Sequence, residues 1–180
     1  MRKLNLSPKT LTNPVRALQN EVLMKMDLPT VDDLPDEAGE YAYNCCVGGW
    51  VETITKGWFE KVYDYDINSA YSSFIRNLVN FKEPFGKWEK VTTLPSERRE
   101  GMMGFFRAVY DTEADLHPIL STADKTRNMV INGRDENWLT LGKIDFCLQR
   151  KLAEISVIDG WVFTPSQVVR PLRDIIDKLR

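Results

Sequence analysis

Residues 63–71 read Tyr63-Asp64-Tyr65-Asp66-Ile67-Asn68-Ser69-Ala70-Tyr71, and this stretch predicts a β-strand that runs directly into an α-helix. Residues 62–67 alternate in the way that suits a strand. From Ser69 the apolar side chains recur at helical intervals, which predicts a helix over residues 69–79. Asp66 therefore lies at the junction, next to backbone N–H groups that have no partner within the helix.

Asp66 and the residues after it are of the types that nucleotidyl transfer needs. A carboxylate is a ligand that Mg²⁺ or Mn²⁺ prefers, and the free amides of Asn68, Ser69, Ala70 and Tyr71 are placed to receive a phosphate. A divalent ion on Asp66 would bridge to that phosphate and neutralise charge in the transition state. A second interpretation stays open, because an aspartate immediately before a helix is commonly its N-cap.

Outside this stretch the sequence mixes helices and strands without a repeating βαβ order, which predicts an α+β fold with a mixed β-sheet and packed helices. Residues 13–26 predict a helix, and the acidic, proline-containing residues 27–40 predict a linker. We place a boundary between residues 40 and 41. The remaining expectations are β-prone runs at 41–47 and 50–54, a loop with a short strand at 80–102, strands at 104–110, 118–120 and 128–131, a helix at 141–152, a strand or tight hairpin at 153–163, and a helix at 168–179.

Composition excludes several classes of protein. The chain has 24 basic and 26 acidic side chains, so a protein that holds nucleic acid by bulk charge is not expected. His117 is the single histidine, which rules out a multi-histidine metal site. Adjacent Cys45 and Cys46 and the distant Cys147 do not form a disulfide pattern. No apolar run reaches the roughly 20 residues of a membrane span, so we expect a cytoplasmic chain without membrane contact.

Several residues are interpreted as structural. Trp58, Trp138 and Trp161 lie in apolar patterns, which favours positions in the core over base stacking. Cys147 falls on the apolar face of its predicted helix and is interpreted as a small core residue. The loop cations, among them Arg98-Arg99, are expected to face water.

The stretch around Asp66 resembles the first catalytic motif of family B DNA polymerases, Asp-x-x-Ser-Leu-Tyr-Pro, and is closest to the protein-primed enzymes of phages and linear plasmids. The resemblance implies that Asp66 is catalytic and binds both metal ions, and that the carbonyl of Ile67 helps to hold one of them. It further implies that Tyr71 stacks under the incoming sugar and excludes a 2′-hydroxyl. Ala70 and Ser72 stand where the family has leucine and proline.

Upstream, Cys46-Val47-Gly48-Gly49 resembles the Tyr-x-Gly-Gly segment with which these polymerases touch the template strand, with cysteine in the tyrosine position. The resemblance implies that Gly48 and Gly49 bind DNA, since glycine lets the backbone approach a sugar-phosphate closely. The alternative is an ordinary turn between two strands.

Residues 41–180 as a whole resemble part of a protein-primed polymerase. The sequence pattern predicts an N-terminal helix and linker over residues 1–40. For the rest, the resemblance implies a partial palm (41–111) and a small α/β insertion subdomain (112–180). The family's second motif, Lys-x-x-x-Asn-Ser-x-Tyr-Gly, and third motif, Tyr-x-Asp-Thr-Asp, do not occur in the sequence. Tyr110-Asp111-Thr112-Glu113 imitates the third motif but is interpreted as a strand end and turn.

These features predict a fragment or split subunit of a DNA-directed DNA polymerase that supplies one metal-binding aspartate and is inactive alone. The implied partners are Mg²⁺ or Mn²⁺, a deoxynucleotide triphosphate, template-primer DNA, a second polymerase chain and a primer protein, in the cytoplasm of a host cell. One alternative is a non-catalytic module that binds single-stranded DNA or a primer protein. Another is a fragment with no independent role.

Overall fold

The computed structural model describes Met26, residues 28–47, 56–63 and 70–113, the pairs Thr122–Ala123 and Asn128–Met129, and residues 133–179. Two short 3-10 turns, Val31–Asp33 and Glu83–Phe85, accompany the regular elements. The helices are α1 (Asp36–Asn44), α2 (Ala70–Ile75), α3 (Leu141–Arg150) and α4 (Arg173–Leu179). The strands are β1 (Gly86–Val91), β2 (Met103–Thr112), β3 (Thr122–Ala123), β4 (Asn128–Met129), β5 (Gly133–Thr140) and β6 (Glu154–Pro165).

The centre of the fold is a four-stranded sheet in the order β1-β6-β2-β5. The expected α+β class is confirmed. Every strand pairing among the described residues is antiparallel, so this part of the sheet is not the mixed sheet that the sequence predicted. The strand at residues 104–110 was correctly predicted as β2, which extends two residues beyond its expected end. The short strand expected within the loop at residues 80–102 is β1.

The main core lies between one face of the sheet and α3. Alternate residues of β2, namely Phe106, Ala108 and Tyr110, are fully buried and belong to the same apolar cluster as Ile144 and Cys147 of α3. Every second residue of the strand faces the helix, and residues three or four positions apart on the helix face the strand, so the two apolar surfaces pack together. The prediction that Cys147 is a small core residue is confirmed.

Residues 154–165 form one continuous strand, so the alternative of a hairpin at Asp159-Gly160 is wrong. Arg107 pairs with Asp159 whereas Ala108 pairs with Val157, which leaves Ile158 as the extra residue of a β-bulge. A Cβ atom on Gly160 would lie 2.7 Å from the carbonyl oxygen of Phe105. The interruption in the apolar pattern therefore marks a bulge and a close backbone approach.

The prediction of a β-prone run at residues 41–47 is wrong, because α1 continues to Asn44. Ala38, Tyr41 and Cys45 are buried at spacings of three and four residues, and α1 packs across the sheet. Burial of that face outweighs the weak strand preference of the local sequence. The predicted linker at residues 27–40 likewise contains a 3-10 turn and the first half of α1.

The helix at residues 141–152 is confirmed, and it ends where Lys151 adopts a left-handed φ of 53°. The other two predicted helices are shorter than expected. α2 stops at Ile75, and α4 begins only at Arg173. The backbone N–H of Asn80 donates to the carbonyl of Val169 at 2.8 Å, so the residues before α4 are held by the chain that follows α2.

The boundary predicted between residues 111 and 112 falls inside β2, whose neighbours β5 and β6 come from its C-terminal side. The predicted elements at 13–26, 50–54 and 118–120 lie outside the described residues, apart from Met26. Within the described ranges, none of the helices combines the length and the apolar composition required to cross a lipid bilayer.

Candidate functional site

Most of the predicted site falls outside the described residues. Asp66, Ile67, Asn68 and Ser69 lie outside them, as do Gly48 and Gly49. Ala70 and Tyr71 are the first two residues of α2. Both residues fall within the helix that the sequence predicted over residues 69–79. Before residue 64, Val62 and Tyr63 are exposed and not in a strand, so the predicted strand does not begin at Val62.

The chain after the tetrapeptide 66–69 is anchored to the C-terminal helix. Arg76, just beyond α2, forms a two-pronged ion pair with Asp177 of α4, in which Nη2 lies 3.0 Å from Oδ2. Asn77 Nδ2 donates to the carbonyl of Ser73 at 3.0 Å and closes the end of α2. These contacts hold the residues that follow α2 to α4.

Large apolar side chains are exposed on both sides of the tetrapeptide. Before it, Trp58 is 95% exposed and Tyr63 is 63% exposed; after it, Phe74 is 77% exposed. The prediction that Trp58 belongs to the core is wrong. Scattered exposed apolar residues are ordinary, but a group along one stretch of chain is typical of a surface that another molecule covers.

The exposed segment before the tetrapeptide also carries positive charge. Residues 56–63 read Lys56-Gly57-Trp58-Phe59-Glu60-Lys61-Val62-Tyr63, and all eight are exposed. The ammonium group of Lys61 lies 4.8 Å from the centre of the Tyr63 ring, a cation-π contact. Two lysines and three aromatic rings are the components with which proteins bind single-stranded nucleic acid.

The opposite face of the sheet from α3 carries a polar cluster beneath α1. The Tyr41 hydroxyl donates to Asp159 Oδ1 at 2.7 Å, and the Tyr41 ring meets Trp138 edge-on, with ring centroids 4.6 Å apart. Arg107 pairs with Glu136 beside them. Burial and the bond to Asp159 raise the pKa of Tyr41 to about 12. Tyr41 therefore stays neutral at physiological pH, and the cluster serves to hold α1 on the sheet.

A cavity lined by carboxylates lies where β2 ends and β6 begins. It has a volume of about 700 Å³ and is lined by Asp111, Glu113, Lys151 and Glu154 together with apolar residues. These side chains do not form a group of three or more metal ligands, and no such group exists among the described residues. Tyr110 is fully buried and β2 ends at Thr112, so the predicted strand end at residues 110–113 is confirmed.

Two further contacts were missed by sequence reasoning. Arg98, which we expected to face water, binds both carboxylate oxygens of Asp145 on α3, with Nη2 to Oδ1 at 2.8 Å. The β1–β2 connection is thereby fastened to α3. Trp138 was placed in the core but packs against Tyr41 at the edge of α1. Neither contact has a sequence signature, because both join residues far apart in the chain.

No protein-family model matches the chain, and comparison with curated proteins and with solved structures finds no significant match.

Proposed function

We propose that this chain is a fragment or split subunit of a DNA-directed DNA polymerase of the protein-primed family B type. Asp66 would supply one of the two carboxylates of the metal site, and a second polypeptide would supply the other. The observation that carries the proposal is the helical conformation of α2, which includes Ala70 and Tyr71, the last two residues of the stretch that resembles the polymerase motif. The polymerase motif also leads into a helix.

The residues of the motif suit a magnesium ion. The carboxylate of Asp66 and the carbonyl of Ile67 are hard oxygen ligands, and Mg²⁺ in nucleotide enzymes is held by one or two carboxylates plus phosphate oxygens. When bound, two such ions favour in-line attack of a primer hydroxyl on the α-phosphate of a deoxynucleotide. One carboxylate gives a weak site, so the isolated chain is inactive in this proposal.

The chain's own residues would hold and select the nucleotide. The backbone amides of Asn68 and Ser69 would lie beside the phosphates, and the ring of Tyr71 would support the sugar and exclude ribose. The exposed apolar groups on both sides of residues 66–69 fit this proposal, since the second polypeptide and DNA would cover them. Gly48 and Gly49 would lie against the template strand.

Calorimetric titration of dATP with Mg²⁺ into the purified chain tests the proposal. We expect weak Mg²⁺-dependent binding that Asp66→Asn abolishes and that Asp64→Asn preserves. The second variant makes the same charge change two residues away and serves as the matched control. Equal loss in both variants would contradict the role of Asp66. Primer extension by the isolated chain would contradict the claim that a second carboxylate must be supplied.

The non-catalytic alternative is favoured by one observation, the exposed aromatic and lysine side chains of residues 56–63. In that case the chain binds single-stranded DNA through stacking on Trp58 and phosphate contacts with Lys56 and Lys61. Truncating a stacked aromatic costs on the order of tenfold in affinity or more. Binding of a labelled oligothymidylate, measured by fluorescence anisotropy, should then be weaker in Trp58→Ala. Tyr43→Ala, which removes another exposed ring on α1, is the matched control and should bind as the wild type does. Unchanged binding in Trp58→Ala would exclude this candidate.

A further inference from the structure

Among the described residues, the strand β1 lies at one edge of the sheet, next to β6. Ser166 N–H donates to the Phe85 carbonyl at 2.9 Å, and hydrogen-bonded pairs recur every second residue in an antiparallel ladder. Lys87 and Glu89 therefore face β6. The backbone N–H and C=O groups of Trp88 and Lys90 point the other way, and they form no hydrogen bond with any part of the chain that the structure describes.

At the other edge of the sheet, a side chain of β5 bonds to a backbone N–H of the same strand. Asn137 Oδ1 accepts the backbone N–H of Trp138 at 2.7 Å, and the ring of Tyr41 lies against Trp138. A donor that already has a partner is not available to an added strand. On β1, by contrast, the outward-facing groups of Trp88 and Lys90 have no such partner among the described residues.

Two grooves flank β1 and share its residues. One, of about 420 Å³, lies between the strand and residues Asp33, Leu34 and Pro35. The other, of about 310 Å³, lies between the strand and Arg99 together with the end of β6. An edge strand with side-chain pockets beside it is the geometry by which proteins bind extended peptides through strand addition.

Charge selects the kind of peptide. The larger groove is lined by Asp33, Glu83 and Glu89 and by the cation Lys87. Asp33 is already paired with Lys82, whose Nζ lies 3.9 Å from its Oδ2, so the excess of negative charge comes from Glu83 and Glu89. The nearby ammonium of Lys90 is already paired with Glu37 of α1. Charged side chains on an edge strand also discourage pairing with an apolar strand. The groove therefore favours a segment with basic side chains.

We propose that β1 binds an extended peptide segment with basic residues at alternate positions, which adds to the sheet as a fifth strand beside Trp88 and Lys90. The peptide backbone bonds to the outward groups of these two residues, and its basic side chains enter the groove that contains Asp33, Glu83 and Glu89. This surface includes none of the residues that the polymerase proposal uses and does not depend on that proposal.

Amide hydrogen exchange on the full chain, followed by NMR, tests this surface with a hexapeptide of alternating lysine and valine. The peptide should slow exchange at Trp88 and Lys90. The amides of Lys87 and Glu89, which already bond to β6, are internal controls and should not change. A peptide of alternating glutamate and valine should not bind. Binding of both peptides alike, binding without slowed exchange, or no binding of the lysine peptide would overturn the proposal.

A pair of variants isolates the backbone contact. Lys90→Pro removes the outward N–H, and proline is tolerated on edge strands. Lys90→Ala removes the same side chain but keeps the N–H. Loss of one hydrogen bond should weaken binding in Lys90→Pro about fivefold relative to Lys90→Ala. Equal affinity would contradict strand addition. Asp66→Asn should bind the lysine peptide unchanged, and a loss there would show that the peptide does not occupy the β1 edge.

Discussion

Replacing Tyr41 with phenylalanine removes the phenolic oxygen that joins α1 to the sheet and leaves the aromatic ring in place. That oxygen donates to Asp159 at 2.7 Å from a side chain that is 6% exposed, and the edge-on contact with Trp138 does not need it. Hydrogen bonds to charged groups contribute about 1.5 to 3 kcal/mol. We expect Tyr41→Phe to lower the free energy of unfolding by about 1.5 kcal/mol at pH 7.

The same hydrogen bond gives the effect a pH dependence. In the unfolded chain Tyr41 loses its proton near its ordinary pKa of 10.0, whereas in the folded chain its pKa is about 12. Between these values the folded state binds more protons, so the stability that the raised pKa supplies is complete below pH 10 and is lost toward pH 12. A rise of the pKa from 10.0 to about 12 corresponds to at most about 2.7 kcal/mol of folding stability. Solvent screening at the helix rim reduces this to about 1 to 2 kcal/mol.

Urea unfolding followed by circular dichroism, at several pH values from 7 to 11, measures both effects. The stability difference between the wild type and Tyr41→Phe should shrink above pH 10, because the variant has no phenolic proton to lose. Tyr43→Phe makes the same chemical change on the same helix at a side chain that is 81% exposed, and should change stability by less than about 0.5 kcal/mol. A cost below that value for Tyr41→Phe, or a difference that stays constant with pH, would refute this role for Tyr41.

Three further outcomes follow from the packing and the caps. Gly160→Ala would place a Cβ 2.7 Å from a backbone carbonyl oxygen and should destabilise the fold by about 1 to 3 kcal/mol. A Cβ on Gly142 would have no atom within 4 Å, so Gly142→Ala in α3 should stabilise the fold by about 0.5 to 1 kcal/mol. Thermal melts of the two variants distinguish a close approach at Gly160 from a general intolerance of alanine. Thr140→Ala removes the side chain that caps α3 and should lower the free energy of unfolding, measured with urea, by about 1 kcal/mol. Thr140→Asn should keep most of that stability, and an equal loss in both variants would exclude the cap. In the native protein, only the exposed thiol of Cys46 should react with Ellman's reagent, because Cys45 and Cys147 are buried. All three thiols should react after denaturation, and a rapid reaction of native Cys46→Ser would contradict this burial.

Local sequence patterns predicted the elements whose burial follows a single period. β2 alternates without interruption along Phe106, Ala108 and Tyr110, and α3 carries a clean apolar stripe, so both were correctly located. β6 was ambiguous because its bulge shifts the alternation by one residue at Ile158. A bulge depends on the partner strand, and the sequence of β6 alone does not contain that information.

Contacts between distant residues account for the errors. Residues 41–44 have strand-like composition, but the burial of Tyr41 against Asp159 and Trp138 selects a helix. The pair formed by Arg98 and Asp145 joins a loop to a helix 47 residues later, and neither position carries a pattern that identifies its partner. The stretch around Asp66 was singled out because family B polymerases have similar residue types at the same short spacing. That assignment stays a prediction, since residues 64–69 lie outside the described ranges.

The most direct measurement is an NMR titration with Mn²⁺, which broadens signals near its binding site and detects weak binding. We expect Mn²⁺ to broaden the amide signals of Tyr63 and Ala70, which flank residues 64–69, in the wild type and in Asp64→Asn. Asp66→Asn should abolish the effect. Broadening that persists in Asp66→Asn, or that appears instead around the acidic cavity of Asp111 and Glu154, would contradict the assignment of Asp66 as the metal ligand.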